Sequence, residues 1–288
     1  MCERRIRKMS EHVGYFEYGE NDCPNLGYVE GSEKLLIIDG GNSKYNAKLF
    51  LEKIKNKRKN KKLLLFLTDY HWDHVCGAKF IPAKLVAGEG ISEKIKEMQK
   101  RNWQKPSLVK MVKEDDISQW ACDSISSEQL IRKEKLYFKE PDIVVNDKMM
   151  ILLDNMTCIY EPIVSGHAET DYVLYVMEEK IVFIGDVLWP NIDSREEHWS
   201  YNYTNFKAMR DKLLSYDAQW YVEAHGEPIS REDLELWMDK LLYLMEKGKE
   251  QNVENVSDLL EQLPEHLRDV EVSYANDIYE ACLNLSDE

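Results

Sequence analysis

The sequence lacks a long apolar run and closely spaced cysteines. Its six cysteines are scattered over 288 residues without a C-x-x-C motif, which is typical of free thiols rather than of a disulfide framework or a zinc finger. No stretch reaches the roughly 18 apolar residues of a transmembrane helix. The N-terminal segment MCERRIRKMSEH is basic but lacks the apolar core of a secretory signal. We therefore expect a cytoplasmic protein with no membrane partner.

Positive charge is also scarce. The chain carries 38 Lys and Arg against 53 Asp and Glu, a formal net charge of -15, so a polyanion would approach against repulsion. The basic run at residues 53–62 is a local exception, which we interpret as a solvated helix end and turn. A nucleic-acid partner is therefore not expected.

The chain has no repeat, no low-complexity segment and no Pro/Gly-rich linker, so we predict a single domain over residues 1–288. Short runs rich in aromatic and β-branched residues predict strands in both halves. These runs are HVGYFEYG, NLGYVEG, KLLIIDGG, KLLLFL and KLVAGEG, then DKMMILLD, MTCIYEPIV, DYVLYVM, KIVFIGD and AQWYVEA. Strands precede helices in each half, which predicts an α/β fold of two sheets packed face to face with helices outside.

Helical periodicity places three helical regions. The segment SKYNAKLFLEKIKNK predicts a helix with Ser43 as its N-cap. A polar segment at about residues 92–140 predicts a helical insertion, either a lid or helices packed on the sheet. The C-terminal segment at about residues 229–288 is helical by period, and it either packs on its own domain or forms a homodimer face.

The motif TDYHWDH carries four potential metal ligands on one loop. Asp69, His71, Asp73 and His74 come directly after the apolar run 62–67, at the strand end where α/β proteins build their sites. Imidazole nitrogens and carboxylate oxygens at this density are typical of a metal site.

Three further candidate ligands follow strands of the second half. His167 comes after CIYEPIV, Asp186 ends KIVFIGD, and His225 ends AQWYVEAHG. If these strands share one sandwich, all seven side chains emerge at one edge. Seven such ligands suit two divalent cations.

The order of these motifs resembles the metallo-β-lactamase-fold hydrolase superfamily, which includes glyoxalase II-like thioesterases and lactonases. Its first motif is T-H-x-H-x-D-H, followed by a single His, a bridging Asp in a strand-ending G-D, and a last His. IIDGG around Asp39 resembles its structural Asp-x-Gly turn. The resemblance implies a four-layer αββα sandwich and this set of metal ligands: Asp69, His71, Asp73, His74, His167, Asp186 and His225.

One position departs from the pattern, because Asp69 stands where the family has its first His. The division of ligands in the family implies that Asp69, His71 and His167 hold one metal, while Asp73, His74 and His225 hold the other and Asp186 is shared. A carboxylate is harder than imidazole, which favours iron or manganese over zinc at the first site. It is also shorter, so the alternative is that Asp69 reaches the metal only through water.

The resemblance implies a hydrolase in which a hydroxide held between two divalent metal ions, zinc first and iron or manganese as alternatives, attacks the substrate. A small ester, thioester, lactone or phosphoester is the expected substrate. Asp73 would ligate and orient the hydroxide. Candidate proton donors to the leaving group are Tyr172, His198 and Tyr203, which follow the second-half ligands.

Two alternatives remain open at this stage. The same scaffold holds iron in sulfur dioxygenases and in diiron oxygen-handling proteins, so an iron-dependent oxidoreductase is the first. A metal-binding protein without enzymatic activity, left by the change at Asp69, is the second.

Overall fold

The computed structural model describes residues 4–114, 117–189, 202–251 and 259–268. Two β-sheets form its centre, and the predicted strand runs of both halves are confirmed. The first sheet has seven strands in spatial order β1 to β7. They are Ile6–Lys8 (β1), Val13–Phe16 (β2), Leu26–Glu30 (β3), Lys34–Ile38 (β4), Lys62–Phe66 (β5), Lys84–Gly88 (β6) and Ile143–Val145 (β7).

The direction of pairing changes within this sheet. Strands β1 to β4 pair antiparallel, whereas β5 pairs parallel with both β4 and β6. Strand β5 is therefore central, which agrees with its unbroken apolar sequence. Its carboxyl end opens directly into the TDYHWDH motif.

The second sheet has six strands in spatial order β13-β12-β11-β10-β9-β8. They are Met149–Leu153 (β8), Met156–Ile163 (β9), Asp171–Val176 (β10), Ile181–Gly185 (β11), Trp220–Glu223 (β12) and Ile229–Ser230 (β13). Only β11 and β12 pair in parallel among these neighbours. The ends of β11 and β12 therefore lie at the same edge, where Asp186 and His225 follow.

The two sheets face each other across one apolar core, which contains Ile37 of the first sheet and Leu174 of the second. They approach closely at Gly27 on β3, where an added Cβ would lie only 2.4 Å from the ring of Phe183 on β11. The absence of a side chain at this position lets the aromatic ring fill the space between the sheets.

Helices cover both outer faces, so the predicted αββα sandwich is confirmed. The helices are Lys44–Lys53 (α1), Trp72–Val75 (α2), Glu89–Gln99 (α3), Lys105–Lys113 (α4), Gln119–Arg132 (α5), Tyr203–Ser215 (α6), Arg231–Gln251 (α7) and Glu265–Arg268 (α8). Ser43 caps α1 as predicted, because its side chain accepts a hydrogen bond from the Asn46 amide at 3.3 Å.

The segment between β6 and β7 holds α3, α4 and α5. Leu108 on α4 and Ile125 on α5 are fully buried in the core of the first sheet, whereas Trp120 is 56% exposed. These helices therefore pack on the domain.

Helices α6, α7 and α8 cover the second sheet through a separate apolar cluster. Leu234, Met238 and Leu241 of α7 are fully buried there, so this face of the helix packs on its own domain. The four cysteines within the described ranges are all free thiols. No described helix combines the length and apolar character of a membrane span.

Candidate metal centre

The TDYHWDH motif changes direction sharply after β5. Asp69 and His71 precede α2, which begins at Trp72 and contains Asp73 and His74. His71 takes the extended N-cap conformation with φ -61° and ψ 153°. The change from strand to a single helical turn aims all four ligand side chains at the space beyond the end of β5.

The Asp39 turn beneath this loop orients His74. Asp39 is 2% exposed and has a left-handed backbone with φ 63°, a conformation that Asp tolerates better than most residues. Its carboxylate accepts hydrogen bonds from the Thr68 amide at 2.8 Å and the Thr68 hydroxyl at 2.7 Å. It also lies 3.0 Å from Nδ1 of His74. The His74 ring is thereby held with Nε2 directed into the site.

The first donor group consists of Asp69, His71 and His167. Oδ2 of Asp69 lies 2.7 Å from Nδ1 of His71 and 3.3 Å from Nε2 of His167. The two histidine nitrogens are 3.1 Å apart. Oδ1 of Asp69 accepts the His71 amide at 2.8 Å, which fixes the carboxylate. Asp69 therefore reaches the same point as the two histidines.

The second donor group consists of Asp73, His74, Asp186 and His225. Nε2 of His74 lies 3.3 Å from Oδ2 of Asp73 and 3.1 Å from Oδ2 of Asp186. Nε2 of His225 lies 3.1 Å and 3.4 Å from the same two oxygens. Each nitrogen thus contacts both carboxylates, and the four atoms surround one point.

Asp186 lies between the two groups. Its Oδ2 is 3.7 Å from Nε2 of His167 in the first group and belongs to the second. Its Oδ1 is buried and has no hydrogen-bond partner among the described residues, which is costly for a carboxylate oxygen. A cation at this position would satisfy the oxygen.

The spacing of the donor atoms fits a divalent metal ion. Four ligands placed tetrahedrally at ~2.0–2.1 Å from zinc lie about 3.4 Å from one another. The distances in the second group are 3.1 to 3.4 Å. Neutral imidazole and carboxylate are ligands for zinc, iron and manganese alike. The residues therefore fit a divalent ion of any of these three elements.

The charges of the cluster depend on one another. Burial alone would raise the pKa of the Asp69 carboxyl, but the imidazoles of His74 and His71 outweigh it and hold that pKa well below the usual range. Burial disfavours the imidazolium of His74, yet Asp69 and Asp73 raise its pKa well above the ordinary value. The carboxylate is therefore ready to bind a cation, and metal binding would release protons from the histidines.

Loops from the second sheet place the remaining ligands. The hydroxyl of Ser165 accepts the His167 amide at 3.0 Å and itself donates to the Asp171 carboxylate. Gly185 ends β11 with φ +58°, and a Cβ there would lie 2.4 Å from the Thr68 hydroxyl oxygen. This close approach brings Asp186 against the TDYHWDH loop.

Of the three candidate proton donors, Tyr172 and Tyr203 lie in the described residues, and neither joins the cluster. Tyr172 is 3% exposed, and its hydroxyl donates to the Val145 carbonyl at 3.1 Å while its ring stacks on Tyr160. Because β10 is buried along its whole length, this side chain lies in the core. Tyr203 packs against the second apolar cluster. His198 lies outside the described residues.

Asp39 could be predicted from the sequence as a structural residue, but three other residues that support the candidate ligands could not. Ser165 and Asp171 hold the His167 loop, and Asp22 lies 3.8 Å from His225. Burial and the nearby Asp73 carboxylate raise the pKa of Asp22 to about 8. The turn-like composition of NDCPN marks a loop, but nothing in the local pattern connects it with a histidine in the other half of the chain.

Comparison with known proteins identifies the family. The model of the metallo-beta-lactamase superfamily matches residues 24–247. No curated protein sequence matches the chain. Among solved structures, a double mutant of a sec-alkyl sulfatase has a TM-score of 0.64 at 13% identity and covers 93% of this chain. The chain spans only 47% of that sulfatase, whose parent comes from Pseudomonas sp..

Two bacterial metallo-beta-lactamases are similar over nearly their whole length. The protein from Pontibacter korlensis has a TM-score of 0.55 at 15% identity, with 81% of this chain and 95% of its own chain covered. The protein from Hirschia baltica has a TM-score of 0.52 at 14% identity, with 80% and 94% covered. Identities this low establish a shared fold and nothing finer. With the family match over most of its length, the chain belongs to the metallo-β-lactamase superfamily.

Proposed function

We propose that this chain is a binuclear metallohydrolase that cleaves a small ester, thioester, lactone or phosphoester. The observation that carries the proposal is the convergence of two donor groups on neighbouring points, with Asp186 within reach of both. Bound divalent cations would supply a nucleophile from water near neutral pH and polarise the carbonyl or phosphoryl oxygen of the substrate. Zinc is the first choice, with iron or manganese as alternatives.

The protein's own contribution is a fixed and largely dry set of ligands. The side chains of Asp69 and His74 are fully buried, and that of His167 is 2% exposed. The His71 and His225 side chains are 12% and 18% exposed. The site therefore opens between these two histidines, and we propose that the substrate enters there.

Aromatic rings stand beside both histidines at this opening. The Tyr70 ring lies 4.6 Å from the His71 ring, measured between centroids, and the Trp189 ring lies 6.3 Å from the His225 ring. Tyr70 is buried at 8% exposure and supports His71 from the core, whereas Trp189 is partly exposed and can offer apolar surface to the non-reacting part of a substrate. We propose that Trp189 orients a substrate with an apolar portion beside its reactive group.

Among the residues of the chain, Asp73 has the proposed catalytic role. Its Oδ2 lies between His74 and His225, so it can hold a metal ligand position and orient the attacking water. Tyr172 is left out of the mechanism, because its hydroxyl proton is donated to Val145. His198 stays the proposed proton donor to the leaving group.

The experiment is a panel of chromogenic carboxylic esters, thioesters, lactones and phosphodiesters, assayed before and after metal removal. We expect turnover that is lost with a chelator, restored by added metal, and abolished in Asp186→Asn. The matched control is Asp217→Asn, because the Asp217 side chain is 82% exposed in a surface pair with Lys180. Turnover that survives both chelation and Asp186→Asn would rule the proposal out.

The first donor group also supports a second candidate function. Two histidines and one carboxylate on one face are typical of iron(II) oxygenases, and Asp69, His71 and His167 form such a set. An iron-dependent oxidoreductase, sulfur dioxygenase-like or diiron, would use the same residues. Elemental analysis after anaerobic purification separates the two candidates, since zinc without iron contradicts the oxidoreductase.

A further inference from the structure

The loop at residues 19–25 is fastened to the turn that carries His225. The Asn25 amide donates to the Ala224 carbonyl at 2.6 Å. The Asn25 side-chain amide donates to the carbonyls of Glu223 and Gly226, both at 2.7 Å. Three hydrogen bonds from one residue thus fix the backbone on both sides of His225. The position of this ligand therefore depends on a loop of the first sheet.

Asp22 lies inside this loop and faces the outer nitrogen of His225. Its Oδ1 is 3.8 Å from Nδ1 of His225, within ion-pair distance, and its side chain is only 5% exposed. Nε2 of the same ring points to Asp73 and Asp186. The imidazole of His225 therefore has the Asp22 carboxylate on its Nδ1 side and the candidate metal ligands on its Nε2 side.

The backbone of the loop takes a conformation that few residue types accept. Asn21 and Asp22 both have left-handed φ angles, 55° and 58°, a region in which Asn and Asp are enriched among the non-glycine residues. The Asn42 side chain donates to the Asn21 carbonyl at 2.8 Å, and the Gly19 amide donates to the Cys23 carbonyl at 2.8 Å. Residues with such backbone angles, when several contacts hold them in place, are common at functional sites.

The charges around His225 explain why Asp22 is directed at its ring. A buried carboxylate near Asp73 and Asp186 is electrostatically unfavourable unless cations are close. Histidines that bind metals commonly donate their outer N–H to a carboxylate, which fixes the tautomer and raises the basicity of the ligating nitrogen. Asp39 stands in this relation to His74 at 3.0 Å.

We propose that Asp22 is a positioning residue that holds His225 with Nε2 free to bind a metal ion, a role that rests on the proposed metal-dependent function. Asp22 acts on the metal only through the imidazole of His225. Its loss therefore weakens the one site to which His225 contributes and leaves the site of Asp69, His71 and His167 unchanged.

The test is a titration of the metal-free protein with cobalt(II), followed by visible absorption, which reports on binding without enzymatic activity. Asp22→Asn removes the charge and keeps a residue that tolerates the left-handed backbone. We expect one of two cobalt sites to weaken about 10- to 100-fold, the usual range for an outer partner of a ligand. Asp22→Gly, which also accepts this backbone, should behave in the same way.

The matched control is Glu20→Gln, an equal loss of charge at an exposed position of the same loop. It should leave both cobalt sites and the melting temperature unchanged. Wild-type affinities at both sites in Asp22→Asn would overturn the inference. So would an equal weakening of both sites together with a lower melting temperature of the metal-free variant, since the loop would then be structural. A wild-type chain that binds no cobalt would contradict the proposed function itself.

Discussion

The two donor groups use the same kinds of ligand but are supported differently. The first group has two histidines and Asp69, and the second has two histidines, Asp73 and the shared Asp186. The first is anchored locally, because Asp69 is fixed by the amide of His71 two residues away. In the second, carboxylates from other parts of the chain, Asp39 among them, stand behind the histidines.

This difference explains how the first group can keep its three donors with Asp69 in place of the His of the family pattern. A carboxylate at position 69 is short, yet the turn that it forms with His71 places it within 2.7 Å of the neighbouring ligand atom. The second group depends on several distant contacts. We therefore expect changes in the second group to cause the larger losses.

The largest expected effect comes from removing one histidine from each group and comparing the two variants. His74→Ala removes a fully buried ring that faces the carboxylates of Asp39, Asp73 and Asp186. Unpaired buried charge costs about 3–5 kcal/mol, so we expect loss of metal and a lower free energy of unfolding. His71→Ala, at a 12% exposed side chain, should lose metal from the first group with a smaller change in stability. Denaturant unfolding and metal analysis measure both, and equal destabilisation would contradict the distinction.

An intermediate effect is expected at the outer partner of His74. Asp39→Asn keeps the shape of the side chain but removes the charge that faces Nδ1 of His74 at 3.0 Å. We expect a loss of about 10- to 100-fold in metal affinity or activity. Isothermal titration of the metal-free variant measures the affinity. Asp154→Asn, in a surface turn with Ser32, is the control, and a similar loss in that variant would refute a specific role for Asp39.

The smallest effect should come from restoring the ligand that the family uses. Asp69→His keeps three donors in the first group but replaces a hard oxygen by an imidazole nitrogen. We expect the total metal content to stay the same while the first site shifts its preference from iron or manganese towards zinc. Competition between equal concentrations of the three metals, read by elemental analysis, measures the shift. An unchanged metal ratio would show that the other ligands decide the preference.

The strand ends that carry all seven candidate ligands could be predicted from the sequence, because each of these strands is a recognisable apolar run. Whether Asp69 reaches the other donors depended on the conformation of the loop, which the periodicity of the sequence does not encode. Tyr172 follows a ligand in the chain, but β10 is covered on both faces, so its side chain lies in the core. The role of Asp22 could not be predicted, because its contact with His225 forms only when the two sheets pack together.

Gly185 contributes no chemistry, yet it sets the distance between the two halves of the molecule. A single methyl group there would need the space that the Thr68 hydroxyl occupies, and Thr68 is itself tied to Asp39 by two hydrogen bonds. A bulkier residue would push β11 outward and carry Asp186 away from both groups of ligands at once. Because Gly185 has no side chain, β11 can lie close to the TDYHWDH loop, and this close approach sets the width of the gap in which cations would bind.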